Sequence, residues 1–181
     1  MSFSIPATTR ALAMSLLAPE YRLSCPSSLW RATIGELRRR GGDDRESGAF
    51  LLGERAVRGG VERRRVRRVA YFDDLDPHCL DTGIVIFDGA GFGPLWQLCR
   101  ESGLQVVADV HTHPGIARQS EADRKHPMIA TPGHFALIVP DFAARVPTGT
   151  DLGFYEYAGA HQWRDHSGLA ASRIFYTGRW A

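Results

Sequence analysis

The period of apolar and polar positions changes several times along this chain, and each change marks an element. Across residues 29–40, Trp30, Ile34 and Leu37 recur at helical spacing. Pro26-Ser27-Ser28 precede that pattern and Gly41-Gly42 stop it, so a first amphipathic helix is predicted there. Residues 41–44 form a polar loop, and residues 47–52 and 61–72 read as strands joined by a glycine-containing turn. Residues 73–83 make an acidic loop. A second helix is predicted to include 94–102, with Leu95, Leu98 and Cys99 on one face and Gly103 after its end. It feeds a nearly all-apolar, valine-rich run at 104–110, the pattern of a strand buried on both faces. Further strands are expected at 135–139, 152–157 and 173–176, with loop at 140–151. The pattern alone supports a mixed α and β fold, class α/β. With no internal repeat and no low-complexity tract, we expect one domain over 21–181 behind a lead-in at 1–20.

Composition narrows this modestly. A chain of 181 residues with 44% hydrophobic content can bury one substantial core. No apolar stretch approaches the length of a bilayer span. Arg10 and the short apolar run at 11–18 have a faint signal-peptide character, but Pro19-Glu20 follow, and we read an irregular or partner-contacting lead-in with a cytoplasmic location. Cys25, Cys79 and Cys99 are odd in number and lack metal-type spacing, so reduced thiols are expected. A net charge of +2 supplies no global argument for nucleic acid. The basic run Arg63-Arg64-Arg65-Val66-Arg67-Arg68 reads as a strand with arginines on a solvated face or edge, ahead of a landing site for an acidic partner or nucleic acid.

The chemistry concentrates after the valine-rich strand. His111-Thr112-His113-Pro114 is followed by Ser120 and Asp123. Alternation along a strand puts His111 and His113 on one side, within reach of one metal ion. Ser120 followed by Glu121, Ala122 and Asp123 reads as a helix start with Ser120 as N-cap, which would return Asp123 towards the histidines. Taken alone, Ser-x-x-Asp is more often a capping box than a ligand set. Two imidazoles and one carboxylate bind zinc and leave a fourth position open. Asp109, two residues before His111, should share the histidines' face. Because a buried carboxylate needs a partner, it is expected to orient one of them, or else to cap a neighbouring loop. His134 reads as a satisfied core or turn histidine. His126, His161 and His166 read as non-catalytic, and His78-Cys79 as plain loop.

His-x-His-Pro and Ser-x-x-Asp, with the upstream run Arg45-Glu46-Ser47-Gly48-Ala49-Phe50-Leu51-Leu52-Gly53, together resemble the JAMM metallopeptidases of the JAB1/MPN/Mov34 superfamily. The likeness covers most of the chain, from about residue 29 to about 155. Through Asp123-Arg124, Pro127-Met128-Ile129 and Pro132-Gly133-His134 it is most similar to bacterial members found with ubiquitin-like conjugation genes. The family usually has seven residues between the second histidine and the serine; here residues 114–119 make six, which bears on the path of that loop. The resemblance implies an MPN/JAB-type fold, a curved mixed β-sheet flanked by helices in a cytidine-deaminase-like architecture. It implies one zinc ion per chain on His111, His113 and Asp123. Glu46 would handle the protons of the attacking water, and Ser120 would donate to the oxyanion. Small residues at 47 and 48 would let backbone approach the site closely.

The implied function is a zinc-dependent isopeptidase or peptidase, deubiquitinase-like, that cleaves after the C-terminal glycine of a ubiquitin-like modifier. Its partners would be that β-grasp modifier and its conjugates, with E1- or E2-like proteins of the same system, and neither membrane nor nucleic acid. Three alternatives stand beside it: a peptidase of the same family that processes a sulfur-carrier protein, a non-catalytic MPN scaffold, and a DNA-repair-associated relative with a similar His-x-His-Pro motif, to which the run at 63–68 alone gives little support. A cysteine isopeptidase is disfavoured, since no cysteine lies in a recognisable nucleophile context.

Overall fold

The structure is a computed structural model that describes residues 21–87, 89–179 and 181. The lead-in read at 1–20 lies outside them. Eight strands, β1 (Leu23–Pro26), β2 (Gly48–Arg58), β3 (Val61–Tyr71), β4 (Gln105–Thr112), β5 (Phe135–Val139), β6 (Gly153–Gly159), β7 (Gln162–Asp165) and β8 (Phe175–Gly178), form one mixed sheet. Their order is β7-β6-β5-β4-β2-β3-β1-β8. β1 runs parallel to β3 and β8, and β4 parallel to β5, while the other neighbours are antiparallel.

Helix α1 (Ser27–Gly41) lies on one face of the sheet, where Trp30, Ile34 and Leu37 join Leu51, Val107, Leu137 and Phe154 in the larger apolar core. Its end is set by Gly42 at φ 63°, a left-handed cap whose N–H bonds the Arg38 carbonyl. The other face carries the single turn α2 (Phe72–Leu75) and helix α3 (Gly89–Ser102), where Phe72 and Leu95 pack on Phe50, Leu52 and Val106. Phe50 and Leu51 are consecutive in β2 yet belong to opposite cores. That is why β2 and β4 read as nearly unbroken apolar runs: both faces are covered.

The sheet is curled. Arg22, just before β1, makes a bidentate ion pair at 2.8 and 3.0 Å with Glu156 on β6, although four strands separate β1 from β6 in the order. The Phe135 ring lies beneath the guanidinium groups of both Arg22 and Arg64 at this closure.

Several expectations change here. Arg64 is not on a solvated face: it is 4% exposed, donates to the carbonyls of Val107 and Gly133, and pairs with Glu62. Nor is β3 an edge, because β1 covers it, a four-residue strand too short to show a period in sequence. Helix α3 includes the expected 94–102 and extends back to Gly89, a glycine-rich turn of low helix propensity against which the Phe87 ring packs at Gly91. The strand expected at 173–176 splits into a short helix α5 (Leu169–Ile174) and β8. Among the described residues, no helix is long and apolar enough to cross a membrane.

Candidate metal centre

β4 extends through Thr112, and its last residues lie between β2 and β5, with Gly48 opposite His111 on one side and Ile138 on the other. Gly48 has no alternative here, since a Cβ would collide with the Phe72 ring and the Val110 carbonyl. His113 continues the strand by donating its N–H to the Val139 carbonyl at 2.9 Å. Between the histidines, Thr112 is locked to Ser47: the Thr112 N–H reaches the Ser47 carbonyl at 2.9 Å, and the Ser47 N–H reaches Thr112 Oγ1 at 2.9 Å. Both rings therefore project from one face, and their Nε2 atoms stand 3.0 Å apart.

The third arm comes from α4 (Glu121–Lys125). Ser120 caps it, its Oγ accepting from the Asp123 N–H at 3.1 Å while Asp123 Oδ2 accepts the Ser120 N–H at 2.7 Å. The same carboxylate faces the histidines, with Oδ1 3.4 Å from His111 Nε2 and Oδ2 3.2 Å from His113 Nε2. The Ser-x-x-Asp pattern is thus a capping box and an arm of the site at once. α4 buries none of its own residues, and is tied down by Trp163 on β7, whose indole N–H bonds the Arg124 carbonyl at 3.1 Å.

The six-residue loop at 114–119 crosses β6 at Gly153, where any Cβ would strike the Ala117 carbonyl. The Tyr155 hydroxyl braces it, donating to the Ala117 carbonyl and accepting from the Gln119 N–H.

Glu46 arrives from the residue pair before β2. Its N–H bonds the Gly83 carbonyl at 3.0 Å, its Oε2 accepts the Val85 N–H at 3.1 Å, and its Oε1 lies 3.7 Å from His113 Nε2. One carboxylate oxygen is thereby held by backbone while the other faces the site. Sequence reasoning missed this clamp, and no residue type near Val85 signals it.

The donor set fits a metal ion. His111, His113 and Asp123 offer one ligand atom each within 4.8 Å of one another. Ligands about 2.0 Å from a tetrahedral zinc stand roughly 3.3 Å apart, close to the 3.0 Å between the two Nε2 atoms and the 3.2–3.4 Å from each of them to one or the other Asp123 oxygen. Electrostatics agree. Burial works against the charged form of Asp123, but its hydrogen bonds to His111 and His113 outweigh that and hold the carboxyl well below its usual range. Burial likewise lowers His111, yet Asp123, Asp109 and Glu46 together leave it raised.

Asp109 shares this face, but its hydrogen bond runs elsewhere. Its Oδ1 is 2.6 Å from His134 Nε2, and both side chains are 2% exposed. His134 is indeed a satisfied core histidine, with Asp109 as the partner the sequence did not reveal. The cysteines are free, and burial pushes the Cys25 and Cys79 thiols up to about 12, far from thiolate nucleophiles.

Beside the metal set runs a groove of about 640 Å³, lined mainly by Ile84, Ile86, Phe87, Phe92 and Met128, with Asp123 in its wall. Ile84 and Ile86 are half exposed and flank Val85, whose amide holds Glu46.

No family model matches the chain. The fold is similar to the solution structure of protein DSY2949 from Desulfitobacterium hafniense, with a TM-score of 0.58 over 86% of this chain and 93% of that one. The two are 17% identical, so the likeness concerns the fold alone.

Proposed function

We propose that this protein is a zinc-dependent peptidase or isopeptidase of the JAMM type, with an MPN/JAB-type fold. It would cleave after the C-terminal glycine of a ubiquitin-like modifier, releasing it from conjugates or maturing its precursor. The observation that carries the reading is the meeting of Glu46 with His111, His113 and Asp123 at one largely buried point, from three separate parts of the chain.

His111, His113 and Asp123 would hold zinc, which when bound supplies a Lewis acid and brings the pKa of its water to roughly 7. Glu46, fixed through Oε2 by the Val85 amide, keeps Oε1 towards the site, where it takes a proton from the attacking water and returns it to the leaving amine. The Ser120 hydroxyl accepts from Asp123 and still has its own proton to donate to the carbonyl oxygen as negative charge grows there. The neighbouring apolar groove suits an extended tail that carries apolar side chains ahead of its terminal glycines.

The test is hydrolysis of C-terminally extended ubiquitin-like and sulfur-carrier fusions by wild-type and Glu46→Ala protein, with and without a zinc chelator. Cleavage after the terminal glycine, lost with chelator and in the variant, is the expected result. Undiminished cleavage by a folded Glu46→Ala protein would sink the assignment, and absence of zinc binding would favour a scaffold.

A further inference from the structure

A metal-facing imidazole has a second nitrogen, and here that nitrogen is unanswered. His111 turns Nε2 towards His113 and Asp123, so a metal at that point requires Nε2 unprotonated and the proton on Nδ1. His111 Nδ1 is buried and has no hydrogen-bond partner in the protein. A buried N–H without an acceptor gives up its hydrogen bond to water and gains none in return. Among the described residues only two other buried side-chain nitrogen or oxygen atoms lack a partner: Arg63 Nε, which is another donor, and Asp109 Oδ2, an acceptor.

Asp109 and His111 are two residues apart on one strand and so share a face. Both line the same small, partly open cavity, about 10 Å³, whose other polar walls are Gln119, Asp123 and His126. That volume is close to the least that holds one water molecule, and the cavity has a donor and a charged acceptor on its wall. On the far side of the carboxylate, Oδ1 is already fixed by His134 at 2.6 Å, so Asp109 cannot swing away without breaking a buried bond.

We propose that Asp109 is a positioning residue for the metal ligand His111. Its Oδ2 accepts, through one bound water in this cavity, the hydrogen bond that starts at His111 Nδ1–H, while His134 clamps Oδ1. The relay His134–Asp109–water–His111 fixes the tautomer and ring orientation that present Nε2 to the metal. It rests on the metal-centre reading above. Outer partners of this kind typically change metal affinity 10- to 100-fold when removed.

The experiment measures zinc affinity by chelator competition, together with long-range ¹H–¹⁵N spectra of the histidine rings, on wild-type protein, Asp109→Asn and His134→Gln. In zinc-loaded wild type, His111 should be protonated at Nδ1, with a proton protected from solvent exchange. Asp109→Asn should bind zinc at least 10-fold more weakly and lose that protection. His134→Gln, which keeps an N–H donor for Oδ1, should stay within a few-fold of wild type. A merely structural role for Asp109 would lower the melting temperature without touching the His111 proton, and that result overturns the proposal. So does zinc bound through His111 Nδ1, or Asp109→Asn affinity within twofold of wild type. If Asp109→Asn does not fold, the wild-type ring spectrum decides alone. Wild-type protein that binds no zinc would refute the metal centre itself, a distinct outcome.

Discussion

Asp123 shows how much one side chain carries at this site. It receives the Ser120 N–H as half of a capping box and faces both histidines with the same carboxylate, so the turn that starts α4 also aims the carboxylate at them. Ser120 is correspondingly double in role. Ser120→Ala removes an N-cap acceptor, worth about 1 kcal/mol of stability, and removes the hydroxyl that would meet the oxyanion, worth about 10²–10³ in kcat. Chemical denaturation and steady-state kinetics on the same sample separate the two losses. Ser120→Thr, which keeps both functions, should recover most of each. A Ser120→Ala protein that loses stability but not kcat would reduce Ser120 to a cap.

The elements that hold the site differ in how plainly the sequence announces them. β4 and the Ser120 start of α4 were legible because each carries its own pattern: valine-rich apolarity in one, a cap residue with an acidic third position in the other. The histidines and Asp123 came with them. What stayed hidden are contacts between elements distant in sequence. The Val85 amide on Glu46 is a backbone group with no residue signature, and Asp109, whose need of a partner the sequence shows, meets that partner in His134, a residue that nothing in its own segment marks for the role. Trp163 is another such case. It lies on a four-residue strand too short to read, yet its indole is what fixes an otherwise unburied α4. Trp163→Phe keeps a ring against Tyr157 and deletes only the N–H to Arg124. At about 1 kcal/mol for a net hydrogen bond, zinc affinity should fall up to about fivefold, with faster amide exchange in α4. Unchanged exchange there would mean that the capping box alone is sufficient.

Across the whole molecule, the curl of the sheet depends on charge as well as apolar packing. Glu156 is 5% exposed, and Arg22, with His166 at 3.0 Å, holds its carboxyl down at about 2 from an ordinary 4.5 against the opposing effect of burial. The sign follows from linkage: a depressed carboxyl stabilises the fold above its unfolded value, and the benefit fades as pH falls from about 4.5 towards about 2. Glu156→Gln should therefore cost about 2 kcal/mol at neutral pH, less than for a fully buried pair because Arg22 is a third exposed. That deficit should shrink on acidification, as followed by urea unfolding from pH 7 to 2; a deficit independent of pH would assign the loss to packing. The pair also joins positions 134 residues apart, so its two ends meet only after most of the sheet between them is assembled. Such a contact belongs to the last stage of folding. Its removal should speed unfolding while leaving the refolding rate nearly unchanged, which makes the closure of the curl a determinant of how long the native state persists rather than of how fast it forms.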